Sequence, residues 1–437
     1  MATAGASAER VRPGRTLFGH PAGLTVLFTT QMWAEFSFFG LQALLVYYMT
    51  KQLGFPQAKS SLIYGAYGAA AFFSPFFGGI IADRWLGRTW SVIIGGAMMM
   101  LGHFAMAFES LIFPALAFVA LGNGLFIPPL AVQVGSLYAD DDPRKAYAYS
   151  AYYMGINLGG FLAPLVCGTL GELYGWHWGF TAAGVGMAIG LAIYLSSLRL
   201  LPPEPDRAAL AAEAKRDGAP VIRQHVAVLF LMIAMVVLFR IGYEQSGNVI
   251  ALWVRDFTDR SIGSGLTIPA TWFQSINPLL IIVGTPVLIR IWRAGRAKET
   301  TAHLLRRMAI GCVIASAAML TMVFAALASE PEGARVGSIW VFAYFVLLTL
   351  GELFVIPVGL TLIESLAPVR FASMAMGAWY IAKFLGSLLA GFMGAYWLVI
   401  PPAAFFGIGM ASTLIAAACL YAMARVLRGR EIFVQRT

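Results

Sequence analysis

Long apolar stretches, separated by short polar segments, follow one another along almost the whole chain. An α-helix rises about 1.5 Å per residue, so roughly 20 apolar residues cross a bilayer core of about 30 Å. Twelve stretches reach this length: 22–49, 60–82, 90–108, 111–138, 146–171, 177–198, 225–254, 269–292, 303–328, 337–365, 371–396 and 401–427. The pattern therefore predicts an all-α membrane protein with twelve transmembrane helices.

Lysine and arginine are unevenly distributed between the two sides of these spans. If the N-terminus lies inside, the inner loops, tails and span ends hold 23 of the 30 basic residues and the outer loops hold five. The remaining two, Arg240 and Lys383, fall within spans. Because cytoplasmic loops carry such an excess, we expect a cell inner (plasma) membrane protein with both termini in the cytoplasm. The net charge of +9 then requires no nucleic-acid partner.

The composition supports the lipid bilayer as the surrounding medium. Hydrophobic residues make up 59% of the chain, charged residues only 12%, and the mean hydropathy is +0.76. The three cysteines lie in apolar runs without the spacing of metal ligands. The sequence shows no His-rich motif, no Ser-His-Asp candidate and no phosphate-binding loop. We therefore expect no metal, no cofactor and no catalytic residues, and a protein that is not an enzyme.

A polar stretch at 199–224 separates the sixth span from the seventh. It predicts a cytoplasmic tail at 1–20, a six-helix bundle at 21–198, a linker at 199–224, a second bundle at 225–428 and a tail at 429–437. The segments at 79–88 and 290–296 are related and occupy corresponding places after the second and eighth spans. Two similar halves predict a substrate site between them, near the membrane midplane.

The loop after the second span carries a recognisable motif. Gly79, Asp83, Arg84, Gly87 and Arg88 form the pattern Gly-x-x-x-Asp-Arg-x-x-Gly-Arg. This loop resembles the signature of the major facilitator superfamily. The resemblance implies the fold of that superfamily, with twelve helices arranged as two six-helix bundles.

Further segments resemble the proton-dependent oligopeptide transporter family. They are 153–160 and 175–180 for its fifth and sixth helices, 244–247 for its seventh, 274–278 for its eighth and 351–368 for its tenth. The resemblance implies a proton-coupled carrier of small peptides. It also implies that Asn157 and Asn277 line the binding cavity, and that Trp379 and Lys383 lie on the part of the eleventh span that faces the substrate.

The chain also departs from the pattern of this family. The first helix usually reads Glu-x-x-Glu-Arg-Phe-x-Tyr-Tyr-Gly, whereas this chain has Gln31, Ala34, Glu35, Phe38 and Phe39 at the changed positions. The usual fourth-helix lysine and the two extra helices between the halves are absent from the sequence. Proton coupling and substrate therefore cannot simply be inherited.

A third tyrosine of the family is replaced at Phe72. With fewer hydroxyl groups and without the first-helix arginine, the first half of the cavity is expected to hydrogen-bond a peptide less well. These changes favour a less polar or more cationic solute.

Five ionisable residues fall deep inside predicted spans, at Glu35, Arg240, Glu244, Glu352 and Lys383, and Glu364 lies nearer the cytoplasmic end of its span. Each costs at least about 2.5–3.5 kcal/mol near the bilayer centre, so such groups usually face a cavity or a partner. We predict that these five residues serve gating or proton coupling.

The pairing of these charges has alternatives. One hypothesis joins Glu35 to Arg240 across the two halves; the other pairs Arg240 with Glu244, four residues away on the same helix, and leaves Glu35 facing water. Lys383 is a candidate partner for Glu352 or for a substrate carboxylate, or it extends toward the membrane interface.

The expected function is that of a monomeric secondary transporter. It would move di- and tripeptides or peptide-like small solutes by alternating access, with protons as the expected coupling partner. Two alternatives remain open: a carrier for a non-peptide solute, such as a drug, a metabolite or nitrate, and a receptor that binds ligand without transport.

Overall fold

The apolar stretches of the sequence form helices in the computed structural model, which describes residues 16–17, 19–139, 142, 144–204, 223–263, 265–294, 300–329, 335–366 and 372–428. The helices of this part are α1 Ala22–Lys51, α2 Gln57–Ile81, α3 Arg88–Ala105, α4 Ile112–Ser136, α5 Arg144–Ala163, α6 Trp176–Ser196, α7 Arg223–Tyr243, α8 Ile276–Ala294, α9 Thr301–Ser329, α10 Ile339–Leu366, α11 Ala372–Gly394 and α12 Pro402–Val426. Each coincides closely with one predicted span, so the prediction of twelve helices is confirmed. The predicted tails at 1–20 and 429–437 and the linker at 199–224 lie largely outside the described residues.

Short segments extend several of these helices: α2 continues through Ala82–Leu86, and α4 is preceded by Glu109–Leu111. α5 continues through Pro164–Gly168 and Thr169–Tyr174, α7 through Glu244–Gly247 and Val249–Phe257, and α8 is preceded by Ala270–Ser275. Among the residues that the structure describes, the strands form three two-stranded ladders of two residues each: Thr16–Leu17 with His20–Pro21, Thr258–Asp259 with Val336–Gly337, and Ser261–Ile262 with Leu266–Thr267. Within the described chain, nine segments are long and apolar enough to cross a membrane; α1, α3 and α11 fall outside that group. α1 and α11 carry the polar residues Glu35 and Lys383 inside their spans.

The helices form two groups that follow the order of the chain. α1 to α6 pack mainly on one another, and so do α7 to α12. The groups meet along two seams, one between α2 and α11 and the other between α5 and α8. This arrangement leaves room for a cavity where the two groups face each other.

The start of the linker defines one end of the bundles, here named the linker end. The carboxylate of Glu204 accepts hydrogen bonds from the backbone N–H groups of Arg88 (3.0 Å) and Thr89 (2.7 Å) at the start of α3. Partial burial acts to raise the pKa of Glu204, but these backbone hydrogen bonds outweigh it and hold the pKa below its usual value. A carboxylate at this position also interacts favourably with the dipole of α3.

The glycine- and arginine-rich loop lies at the same end. Gly87 has a φ of 79° where the chain turns from α2 into α3, a conformation that glycine adopts without strain. The guanidinium of Arg88 donates a hydrogen bond to the hydroxyl of Ser136 at the end of α4 (3.1 Å). Asp83 and Arg84 are exposed beside this turn, and Gly79 lies one helical turn earlier, opposite Pro128.

Hydrogen bonds between the two groups cluster at the opposite end, here named the far end. The hydroxyl of Tyr47 donates to the backbone carbonyl of Ala251 (2.8 Å). The carboxylate of Glu172 accepts from the backbone N–H groups of Ala270 (2.9 Å) and Thr271 (2.8 Å). The two groups are therefore tied together at the far end.

The seam between α2 and α11 depends on small residues. A Cβ atom at Gly391 would lie 2.7 Å from the Cα atom of Gly65 and 2.8 Å from the carbonyl oxygen of Ser61. Both neighbours are backbone atoms, which cannot rotate away. The two groups can approach this closely only without a side chain at this position.

We predict that Gly391→Ala lowers the apparent melting temperature of the purified protein. Overpacking a tight contact costs roughly 1–3 kcal/mol, which exceeds the helix-propensity gain of about 1 kcal/mol on replacing glycine with alanine. Gly407→Ala is the matched control, because no atom lies within 4 Å of a Cβ atom built there. Equal melting temperatures for the two variants would show that the seam is not tight at Gly391.

Candidate functional site

A cavity of about 350 Å³ lies between the two groups of helices. Residues of α1, α2, α4 and α5 line it from the first group, and residues of α7, α8, α10 and α11 line it from the second. Its volume falls within the roughly 300–1,000 Å³ typical of sites for small molecules. The location agrees with the prediction of a site between two halves.

The cavity brings together most of the predicted site residues. Its lining includes Gln31, Glu35, Phe38, Phe39, Phe72, Asn157, Arg240, Glu244, Asn277, Glu352 and Lys383. Trp379 is the exception: it is buried against α10, where a Cβ atom at Gly359 would lie 2.7 Å from the indole ring. The predicted contact of Trp379 with a substrate is therefore not supported, because its side chain packs two helices together instead.

Arg240 and Glu244 form a buried ion pair within the second group. The guanidinium of Arg240 donates to the carboxylate of Glu244, one helical turn further on. Both side chains are more than nine-tenths buried. The structure therefore contradicts the hypothesis of a Glu35–Arg240 pair across the halves and forms the Arg240–Glu244 pair within one helix, while Glu35 is buried rather than facing water.

Glu35 is held by an amide rather than by a cation. The side-chain nitrogen of Gln31 donates to the Glu35 carboxylate (2.6 Å), and the oxygen of the same amide accepts a hydrogen bond from the hydroxyl of Tyr152 (2.8 Å). An amide can do both at once, whereas a carboxylate at position 31 would have no donor for Glu35. Gln31 is therefore the residue that makes a buried acid at position 35 tolerable.

Glu352 is likewise held by neutral donors. Its carboxylate accepts hydrogen bonds from the side-chain amide of Asn277 (2.7 Å) and from the hydroxyl of Tyr243 (3.1 Å). The predicted Glu352–Lys383 ion pair is not formed. The Lys383 ammonium lies instead over the rings of Phe72 (4.8 Å) and Tyr380 (5.5 Å), measured to the ring centroids.

Asn157 makes a local contact. Its side-chain amide donates to the backbone carbonyl of Tyr153, four residues earlier on α5 (2.9 Å). The amide oxygen of Asn157 is not part of this contact. Asn157 therefore offers its amide oxygen to the cavity as an acceptor, while the amide nitrogen of Asn277 donates to Glu352.

The sequence reasoning missed the tyrosines of the cavity. Tyr64, Tyr152, Tyr153, Tyr243 and Tyr380 all line it. Three of them belong to the first half, so this half keeps tyrosine hydroxyl groups beside Phe38, Phe39 and Phe72. The spacing of Tyr153 and Asn157, four residues apart, was a signal that both lie on one helix face.

The arrangement suits a solute that carries both charges. Arg240 and Glu244 compensate each other, whereas Glu35, Glu352 and Lys383 have no ion pair among the described residues. The cavity thus offers two carboxylates and one ammonium group, with hydroxyl and amide groups around them. Such groups can orient a small zwitterion but include no nucleophile activated by a neighbouring base.

We predict that a double-mutant cycle on the apparent melting temperature shows strong coupling between Arg240 and Glu244. Arg240→Met alone strands a buried carboxylate and should cost about 3–5 kcal/mol. Adding Glu244→Gln should restore much of that loss. Glu35→Gln is the control, because its effect should add to that of Arg240→Met. Additive effects for Arg240 and Glu244, or coupling with Glu35 instead, would contradict the observed pairing.

Comparison with known proteins places the chain in a family. A model described as Major Facilitator Superfamily matches residues 27–391. The chain is 32% identical to the peptide transporter YePEPT of Yersinia enterocolitica, with 88% of this chain and 89% of the relative covered. It is 31% identical to a di-/tripeptide transporter of Lactococcus lactis subsp. cremoris, with 84% and 88% covered.

Solved structures give the same result. The crystal structure of a peptide transporter named POT, in complex with alafosfalin, superposes with a TM-score of 0.85 at 28% identity and covers 96% of this chain and 98% of that chain. A POT family transporter in complex with 5-aminolevulinic acid superposes with the same TM-score at 22% identity, covering 95% and 98%, a likeness of fold. The relatives are transporters rather than enzymes. The chain therefore belongs to the proton-dependent oligopeptide transporter (POT) family of the major facilitator superfamily.

Proposed function

We propose that this protein is a secondary transporter that moves di- and tripeptides, or peptide-like small solutes, across the inner membrane by alternating access. One observation carries the proposal. A cavity between two six-helix groups holds carboxylates and an ammonium group that have no ion-pair partners of their own within the described chain. Buried groups of this kind are costly unless a solute or a proton uses them.

The chemistry of the cavity supports a peptide. A small peptide at neutral pH has an ammonium group at one end, a carboxylate at the other, and amide groups between them. Glu35 and Glu352 can accept from the ammonium group, and Lys383 can donate to the carboxylate. Tyrosine hydroxyls and the amide of Asn157 can bind the peptide bond.

The orientation in the membrane follows from the basic residues. The linker end carries the loop with Arg84 and Arg88, and the chain's excess of basic residues falls on that side. We therefore assign the linker end to the cytoplasm and the far end to the outside. Because hydrogen bonds join the two groups at the far end, the structure corresponds to a carrier closed toward the outside.

A single copy of the chain contains the whole cavity, which supports a monomer.

Protons are the coupling ion in this proposal. Glu35 and Glu352 are held by neutral donors, so gaining a proton breaks no ion pair. A proton that moves down a potential of 100 mV supplies about 2.3 kcal/mol, enough to shift the balance between two carrier states. The Arg240–Glu244 pair is a worse candidate, because protonation of Glu244 would strand a buried guanidinium.

We predict that the purified protein in liposomes accelerates counterflow of radiolabelled dialanine. Unlabelled di- and tripeptides in the lumen should drive uptake, because exchange requires only binding and alternation of the cavity. Liposomes without protein measure the leak, and free alanine inside the lumen measures selectivity for peptides. If no peptide of the panel drives exchange while a drug, metabolite or nitrate does, the substrate is not a peptide.

We predict that a pH gradient, acidic outside, increases net uptake by the wild-type protein. Glu35→Gln or Glu352→Gln should abolish the increase. Counterflow should persist but need a higher peptide concentration, since exchange needs no net proton movement while each variant loses one acceptor for the ammonium group. Gly407→Ala, which lies outside the cavity, is the control. Uptake that ignores the gradient in the wild type would point to facilitated diffusion.

A further inference from the structure

The ring of Phe72 lies beside two cations that belong to the other half of the molecule. Phe72 is on α2, in the first group of helices. The guanidinium carbon of Arg240 lies 5.3 Å from the centroid of its ring, and the ammonium nitrogen of Lys383 lies 4.8 Å from it. Both distances fall within the range in which a cation is attracted to the face of an aromatic ring, about 6 Å.

The two cations differ in what else they contact. Arg240 is 5% exposed and bound to Glu244, so its charge is already compensated. Lys383 is only partly buried, lines the cavity, and has no carboxylate within ion-pair distance in the described chain. Its neighbours are the rings of Phe72 and Tyr380. Lys383 is therefore a charge held by aromatic faces rather than by an opposite charge.

Aromatic faces leave the hydrogen-bonding capacity of an ammonium group free. The attraction to a ring is electrostatic and uses the ring's electron density, so an N–H donor can still point elsewhere. A carboxylate that reaches Lys383 breaks no existing ion pair, whereas at Arg240 it would have to displace Glu244. The cation that can accept a new carboxylate at low cost is thus Lys383.

We propose that Lys383 is the subsite for the substrate carboxylate and that Phe72 is its positioning residue. The inference rests on the proposed function and names the part of the cavity that binds one end of the peptide. Phe72 does not need to contact the substrate. Because it belongs to α2 and Lys383 to α11, the contact joins the two halves, and the position of the ammonium group depends on how the halves are arranged.

The first experiment compares dialanine with its C-terminal amide. Both ligands carry the ammonium group, and only dialanine carries a carboxylate. Competition for binding to the purified protein gives the preference, the ratio of the two affinities. The wild type should prefer dialanine by roughly 10- to 100-fold, the strength of one charged hydrogen bond. In Lys383→Gln the preference should vanish while the amide binds as well as to the wild type, which also shows that the variant is folded.

The second experiment tests Phe72 with Lys383 intact. Phe72→Leu keeps an apolar side chain and removes the ring, and phenylalanines with one, two or three fluorine atoms at position 72 weaken the negative face of the ring stepwise. The preference for dialanine should fall in the same steps. Phe73→Leu is the matched control, because Phe73 packs on Phe76, Phe77 and Phe384 rather than on Lys383.

Each outcome bears on the proposal. A wild type that binds dialanine and its amide equally, or a Lys383→Gln variant that keeps the preference, would overturn the carboxylate subsite and leave the proposed function standing. A fluorine series without effect would overturn the role of Phe72. If the wild type binds neither ligand, the proposed function fails and this inference fails with it.

Discussion

The cost of placing an ionised group in a hydrocarbon layer is the constraint that organises this structure. Five such groups line the cavity between the helices, and the chain offsets the cost differently for the ion pair, the carboxylates and the ammonium group. Arg240 and Glu244 compensate each other. Glu35 and Glu352 take hydrogen bonds from amides and a phenol. Lys383 rests against rings. Only in the Arg240–Glu244 pair does an opposite charge compensate each group. The two carboxylates and the ammonium group remain available to a solute or a proton.

This difference separates contacts that stabilise the fold from contacts that change during transport. A buried ion pair is expensive to break on one side, so Arg240 and Glu244 stabilise α7 at the point where it changes from an α-helix to a tighter turn at Glu244–Gly247. The ties at the far end are of another kind: phenol to carbonyl and carboxylate to backbone N–H. Each contributes little by itself, and water can replace each when the halves separate, which suits a contact that must open and close.

The sequence predicted the helices, and which residues line the cavity, better than it predicted the contacts among those residues. An apolar stretch of about 20 residues is stable in lipid as a helix, because a helix satisfies its backbone hydrogen bonds internally. All twelve spans could therefore be predicted. A charge inside a span must face the cavity or a partner, which located Glu35, Glu352 and Lys383. The partner of Arg240 depended on the rotation of α7 relative to α1, which no periodicity reports. The rotation of α11 likewise decides that the ring of Trp379 packs on α10 and is not part of the cavity lining.

The residues that depart from the family pattern contact one another, so the departures are linked substitutions rather than separate losses of function. An acid at position 35 requires a donor nearby, and the amide of Gln31 is that donor, itself held by Tyr152. With the first-helix arginine gone, the available cation of the cavity is on α11, and a ring at position 72 holds it. A phenol at that position is not needed for a contact made by the ring face. Gln31 and Glu35 therefore depend on each other, as do Phe72 and Lys383, and we expect that Gln31→Glu, the usual family residue, would leave the carboxylate of Glu35 without its donor.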